Sequence, residues 1–297
     1  MTTSARPTGR DVVTAATEPP VSPAVPDAAG RTAPVPRRRR SPRELVSAAS
    51  VAVVTVAALV LAWRGTDFSI AALVDGREGI ARFVSEAFPP DLTWDTVVKP
   101  GLQATLVTLW IGLLGTALSV PFSLVLAVLG ARTTSPHPAV YQAARAVLSF
   151  LRAVPDVVFA LVFVTAVGLG PFSGVLALIV HNTGVMGKLW AEAMEETDQG
   201  PSQALRTAGA GRTQVVTHAV LPGVAPQMVG LTLYRFDVNV RASLVLGLVG
   251  AGGIGFLITK AIKMFEFGQM LTYILMVLVL VWLVDRFSSW ARARFAA

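Results

Sequence analysis

The sequence predicts an all-α protein that crosses a membrane several times. Three observations carry that expectation. Hydrophobic residues fill 53% of the 297 positions and charged residues only 14%, where an ordinary soluble domain has about 25% charged. Several apolar runs come near the roughly 20 residues that a helix needs to span hydrocarbon. Lysine and arginine gather between alternate runs, as the positive-inside rule requires of a polytopic chain. Cysteine is absent, which excludes disulfides and thiolate metal sites. The net charge of +7 lies in the N-terminal segment and beside apolar runs. It therefore reads as orientation and attraction to anionic membrane lipid, with no nucleic-acid partner.

Residues 1–43 read as a disordered, basic, proline-rich cytoplasmic tail. They hold eight of the chain's 19 prolines and no apolar periodicity, so little burial is available to offset the entropy of ordering. Arg37-Arg38-Arg39-Arg40 serves as a topology anchor. The tail is too long and too polar ahead of its first apolar run for a cleaved signal peptide. Residues 44–100 form the next division, a first span over Leu45–Trp63 and an extracytoplasmic segment. Residues 64–100 carry four basic residues against six acids, which suits the outer face. A short amphipathic helix is expected near Ile80–Phe88, stopped by Pro89-Pro90.

Residues 101–290 form the core. The second span runs over Gln103–Gly130. Gly112, Gly115 and Ser119 give it a small-residue face for close helix approach, and Pro121 is expected to kink it. Arg132, His137 and Arg145 mark 131–145 as cytoplasmic. A third span, Ala146–Val167, and a fourth, Phe172–Trp190, meet at Gly168-Leu169-Gly170-Pro171. Arg152 and Asp156 stand four residues apart near the inner end of the third span, so they are predicted to form a structural pair. His181 and Asn182 are polar groups at membrane depth. An isolated histidine reads as an interhelical hydrogen bonder rather than a metal ligand.

The cytoplasmic stretch 191–222 follows. Within it, Gln203–Pro222 (QALRTAGAGRTQVVTHAVLP) is the longest non-apolar break between hydrophobic regions. Gln203–Thr207 are good helix formers, and Gly209 and Gly211 end that helix. Val215, Val216, Ala219 and Val220 recur at helical spacing, and Pro222 is expected to close the run. The segment reads as a partly basic elbow, helix–turn–helix, carrying Arg206, Arg212 and His218.

The fifth span, Ala225–Leu248, carries Arg235, Asp237, Asn239, Arg241 and Ser243, the candidate translocation-pathway residues. A charge inside a bilayer costs at least ~2.5 kcal/mol by insertion scales, so it needs a partner or a watery cavity. Two readings stand. Arg241, with Arg235, lines the path of an anionic substrate; or Asp237 pairs with Arg241 and fixes the helix. Gly250–Gly255 spells G-x-G-x-x-G, but the dinucleotide motif requires a preceding strand. Here it ends a membrane helix at the outer side, so Gly250, Gly252, Gly253 and Gly255 read as gate residues. A semi-polar loop with Lys260, Lys263 and Glu266 leads to a sixth span, Met270–Trp290. Arg286, Arg292 and Arg294 stop that span at the inside, and 291–297 form a cytoplasmic end. Six crossings put both termini in the cytoplasm.

The elbow carries a family resemblance. Gln203-Ala204-Leu205 stand first, Gly209 follows after three residues, and Ala219-Val220-Leu221-Pro222 after nine more. This resembles the E-A-A coupling loop of ABC importer permeases, with Gln203, Leu205 and Ala219 in place of Glu, Ala and Ile. The resemblance implies that Gln203, Ala204, Leu205, Arg206, Gly209, Ala210, Arg212, Leu221 and Pro222 couple to a cytoplasmic ATPase. Arg152–Trp190 and Tyr234–Gly255, with their R-x-x-P-D, G-L-G-P-F and Y-R-F-x-x-N-x-R-A-S strings, are similar to phosphonate importer permeases. The likeness covers about residues 97–290.

It implies a type I ABC importer permease core, methionine-importer-like, in a bacterial inner membrane. It implies a homodimer, two ATPase subunits carrying ATP and Mg, and an extracytoplasmic substrate-binding protein. The implied cargo is phosphonates or related phosphorus oxyanions; methionine, phosphate and phosphite are the alternatives. The chain itself carries no phosphate-binding loop. Its Gly187-Lys188 is followed by Leu189, with Asn182 where the first glycine belongs. Neither H-E-x-x-H nor a nucleophile elbow occurs. The chain is therefore expected to be a transport subunit, not an enzyme, with no cofactor of its own. An ion-coupled secondary transporter would usually show two similar halves, and no internal repeat is visible.

Overall fold

The computed structural model describes residues 42–66 and 68–295. The arginine run 37–40 and the rest of the expected tail lie outside the described residues. Within them every regular element is helical. The chain divides into two compact units, Met1–Ser69 and Ile70–Ala297. Residues 70–100 fall in the second unit, together with the helices that follow.

In the first unit, α1 (Pro42–Gly65) exposes apolar side chains, among them Val51, Val54, Leu59 and Leu61. A helix that is apolar all round suits lipid. At its end Trp63 meets Phe68 edge-on, with centroids 4.5 Å apart.

The second unit opens with two short helices, α2 (Ile70–Asp75) and α3 (Arg77–Ala87). The latter is the expected amphipathic helix, ending before Pro89. The connection that follows is tied to the last helix: Asp91 donates its N–H to Gly268 O (3.2 Å), and Thr272 Oγ1 donates to Asp91 O (2.7 Å). The Thr93 hydroxyl and backbone N–H both donate to the Asp91 carboxylate, holding it below its usual pKa. One π-turn, Trp94–Val98, then leads into α4 (Lys99–Gly130), which runs through Pro121 without a break.

The third span differs from expectation. It is two helices, α5 (Pro138–Ala153) and α6 (Asp156–Val167), bent by 85° at the break. Pro155 has no N–H to offer and forces Val154 into extended backbone. This also corrects the predicted Arg152–Asp156 pair. The helix breaks between them, so i,i+4 geometry is lost. Arg152 is exposed, and the Asp156 carboxylate accepts the Val157 N–H instead.

α7 (Pro171–Glu196) is the central helix. It is followed by α8 (Gly200–Thr207), α9 (Arg212–Val215), a second π-turn at Val216–Val220, and α10 (Leu221–Leu248). Pro222 does not close the elbow, as the sequence reading expects. The Leu221 N–H bonds back to Val216 O, and this wider turn carries the helix past the proline. The other π-turn likewise stands just before a proline, Pro100. The expected loop after Gly255 contains a helix, α11 (Ile254–Lys263), because Ile254, Leu257, Ile258 and Ala261 form one buried stripe. α12 (Phe267–Phe295) ends the described chain. Among the described residues, five helices are long and apolar enough to cross a membrane, and six if the bent α5–α6 pair counts as one span.

Glycine lets the central helices approach closely. A Cβ on Gly115 of α4 would stand 2.6 Å from Leu178 Cβ of α7. One on Gly112 would meet Val240 of α10 at 2.6 Å, and one on Gly184 would meet Leu151 of α5 at 2.6 Å. α4, α7 and α10 therefore form a tightly locked trio.

Candidate functional site

The elbow is built to be stiff. α8 ends where Gly209 takes φ +86°, a left-handed conformation open to glycine. Gly209 N–H bonds Arg206 O and Ala210 N–H bonds Leu205 O, both at 3.0 Å, closing the helix end. Gly211 then starts the next helix, its N–H held by Gln214 Oε1 at 2.8 Å. Gln203, Ala204 and Arg206 are exposed on α8, whereas Leu205 and Ala210 are half-buried. Val215, Val216, Ala219 and Val220 are buried. Val220 and Val224 pack with Trp190, Met194 and Ala127, joining the elbow to α7 and α4. Leu221 adds to that cluster, and Pro222 is exposed.

Ion pairs brace the same end. Arg145 reaches Glu195 at 2.9 Å and Glu192 at 3.7 Å, and Lys188 reaches Glu192 at 3.6 Å. The Arg145 Nε also donates to Gly130 O, capping the end of α4 at 2.7 Å.

At the middle of α10 the five expected pathway residues separate into three settings. Residues two apart on a helix point to nearly opposite sides, and residues four apart share a face. Asp237 and Arg241 form an ion pair, with the Asp237 side chain only 4% exposed and that of Arg241 48% exposed. Ser243 is fully buried and donates to Thr108 O and Val240 O. Its role here is packing against α4.

Arg235 and Asn239 lie on the other face. Arg235 Nε donates to Asn182 Oδ1 at 2.8 Å, and its Nη2 to Asn239 Oδ1 at 3.2 Å. Asn239 Nδ2 donates to Thr116 Oγ1 (2.8 Å), and Asn182 Nδ2 to Ser119 Oγ (2.5 Å). One polar network thus joins α4, α7 and α10. Arg235 makes no ion pair among the described residues; its side-chain partners are neutral amides. The field of Asp156 reaches it through space, without contact. The guanidinium is held in a fixed direction by the two amides, with no carboxylate at ion-pair distance among the described residues.

Sequence reasoning missed Asn182 as a partner of this arginine, and Thr116 and Ser119 as the groups that hold its two amides. The available signal was a polar side chain at membrane depth in each apolar run. His181 bonds Val154 O at 3.1 Å, filling the carbonyl freed where α5 breaks from α6, in line with the interhelical role read for it.

The glycine turn after α10 is dense. Gly250, Gly252 and Gly253 all have positive φ. A Cβ on Gly252 would stand 2.8 Å from Pro171 N, and one on Gly255 would stand 2.1 Å from Leu244 O. Gly170 N–H bonds Gly250 O (3.0 Å), and Ile254 N–H bonds Thr108 Oγ1 (2.9 Å). The turn therefore welds α4, α7 and α10 together at one end of the trio.

Comparison with known proteins agrees with this architecture. The chain is 42% identical over 246 residues to the phosphite transport system permease protein of Stutzerimonas stutzeri, covering 82% of this chain and 88% of that protein. It is 43% identical over 225 residues to the phosphate-import permease protein of Mycolicibacterium smegmatis, covering 76% of this chain but only 42% of that longer protein. In three dimensions it superposes on a chain of the MetNI methionine ABC transporter, inward-facing, with TM-score 0.56. That match is 22% identical and covers 67% of this chain and 96% of the other. The shared fold is that of a type I ABC importer permease. Residues 119–296 match the family described as binding-protein-dependent transport system inner membrane component, and the chain belongs to that family of membrane transport components.

Proposed function

We propose that this chain is the membrane-spanning subunit of an ABC importer for phosphorus oxyanions: phosphite, phosphonates or phosphate. The observation that carries the substrate class is Arg235. A guanidinium at membrane depth, aimed by two amides and left without a counter-ion, is a costly arrangement unless an anion or water meets it. Names of the similar proteins, phosphite and phosphate permeases, support the same class.

In this reading the chain sits in the bacterial inner membrane with both termini in the cytoplasm and works as a homodimer. Two ATPase subunits, carrying ATP and Mg, dock on the exposed side of α8 and the Gly209 turn. An extracytoplasmic binding protein delivers the anion. Arg235 faces the path, aimed by the Asn182 and Asn239 amides, with Asp237, Arg241 and Ser243 holding α10 in place. The turn of Gly250, Gly252, Gly253 and Gly255 forms the outer closure. No phosphate-binding loop occurs in the sequence, so the fuel is burned on the partner.

The test is reconstitution in liposomes with the ATPase and the binding protein, measuring uptake of radiolabelled phosphite, phosphate and a phosphonate. ATP-dependent and binding-protein-dependent uptake of at least one is expected. Uptake against a gradient by this chain alone would point to a secondary transporter and sink the proposal.

A further inference from the structure

At the cytoplasmic end Arg132, outside the proposed docking element, stands beside the elbow's Arg206 and Arg212. A cleft of about 330 Å³ opens between the 131–138 connection and the elbow, lined by Arg132, Thr133, Gln199, Arg206, Ala210 and Arg212 among others. An adjoining cleft of about 400 Å³ shares Arg132 and Arg212 and adds His137 and Tyr141. No carboxylate lines either cleft.

Nearby acids are engaged elsewhere. Glu195 accepts the Arg132 backbone N–H (2.8 Å) and pairs with Arg145 (2.9 Å). Glu192 pairs with Lys188, and Asp198 accepts the Gly200 N–H. Among the described residues, Arg132, Arg206 and Arg212 enter no ion pair. Two of them are already oriented. Arg132 Nε donates to the Tyr141 hydroxyl at 3.0 Å, with its guanidinium 5.5 Å from that ring's centroid. Arg206 Nη2 donates to Thr133 O at 3.3 Å.

Planar guanidinium forks match the oxygens of a tetrahedral phosphorus oxyanion, two bonds at a time. We propose that this cleft binds one such anion, and that the bound anion clamps the elbow to the core. The clamp follows from where the arginines stand. Arg132 belongs to the connection after α4, Arg206 to α8 and Arg212 to α9. An anion between them ties α8 and α9 to the connection after α4 with charge-assisted bonds. The chemistry is shared by a free cytosolic oxyanion and by a lipid phosphate headgroup. The cytoplasmic placement rests on the proposed topology. On that reading, accumulated cargo or anionic lipid restrains the elbow and slows coupling.

The experiment measures backbone hydrogen exchange and binding on the full chain in nanodiscs of phosphatidylcholine, without nucleotide. Inorganic phosphate is the probe. Arg132→Gln is the variant, because Arg206 and Arg212 also belong to the proposed docking element. In the wild type, saturating phosphate is expected to slow exchange of the amides over 205–215 by about tenfold. Arg132→Gln should lose that protection and bind phosphate at this site about tenfold more weakly. Arg132→Lys, which keeps the charge but not the fork, should fall between, and it serves if Arg132→Gln does not accumulate.

A second arm uses nanodiscs with one-third phosphatidylglycerol. Protection already present there without phosphate, and lost in the variant, assigns the headgroup as occupant. Protection that needs added phosphate in both membranes assigns the free ion. Equal exchange and equal binding in wild type and variants overturns the site. Because neither arm uses transport, that result leaves the importer reading standing, and failed uptake leaves the site standing.

Discussion

Replacing Arg235 by Gln tests the substrate reading most directly. The magnitude follows from charge and setting. A unit anion about 4 Å from the guanidinium gains about 1 kcal/mol if water fills the path, and about 4 kcal/mol at the effective dielectric of a protein margin. These bounds correspond to roughly fivefold and roughly a thousandfold. Arg235 is half-buried with amides on two sides, so it lies between the limits, and a loss of at least about tenfold is expected. The deficit should appear in the maximal rate at saturating binding protein, because capture from solution is the binding protein's step.

The change also has a structural cost. Asn182 and Asn239 each lose a charged donor, worth about 1.5–3 kcal/mol apiece. Thermal unfolding in detergent measures that separately, and Arg235→Lys keeps the charge while losing the bidentate fork. The assay is ATP-driven uptake of labelled phosphite in liposomes carrying the full complex. If Arg235→Gln inserts, stays folded and transports at the wild-type maximal rate, the Arg235 charge has no part in moving the anion.

Three further outcomes follow from the packing. Gly209 has φ +86° with open space where a Cβ would stand, so Gly209→Ala should cost only about 1–2 kcal/mol of local strain. Gly209→Pro cannot adopt that angle and should uncouple transport from ATP turnover without preventing insertion; normal substrate-stimulated ATP turnover in it would contradict the coupling role. Gly115→Val drives a side chain into Leu178, where even a Cβ would stand 2.6 Å away; a loss of about 1–3 kcal/mol is expected, read as a lower unfolding temperature. Asp237→Asn leaves Arg241 without its ion partner, and up to about 3 kcal/mol should be lost. Adding Arg241→Met should recover most of it; a double variant no more stable than the single would show that the pair is not what holds α10.

What the sequence revealed and what it hid divide along a physical line. Apolar length and charge bias are properties of each run, so the spans, the elbow and the amphipathic helix near residue 80 were legible. The split of the third span was also written in the chain, as Val154-Pro155, but a hydropathy window averages over one proline. Pro222 and Pro100 misled in the opposite sense. A proline reads as a stop, yet a π-turn just ahead of each lets the helix continue, and no residue type announces that turn. The partners of Arg235 were hidden for a different reason. Asp237–Arg241 is a contact within one helix, visible from spacing. Arg235–Asn182 and Asn239–Thr116 join separate helices, and only the folded trio brings them together.

The arrangement of α9 and α10 gives the elbow a mechanical meaning. From Arg212 the helix is continuous through the π-turn to Leu248. Arg235 therefore stands about 35 Å along the same rod, at 1.5 Å per residue. The near end is gripped by Val220 and Val224 against α7 and α4, and the middle is tied to the same two helices by the Asn182 and Asn239 network. A push on the elbow cannot slide α10 alone; it must carry α4 and α7 as one body. The π-turn at Val216–Val220 stands between the point of force and the cation. Deleting Thr213, in the α-helical turn just ahead of the π-turn, should rotate α8 and the Gly209 turn by about 100° relative to Arg235. Such a variant should keep the folded trio and lose ATP-driven uptake. Full uptake after the deletion would mean that the elbow and the cation are not joined through this helix.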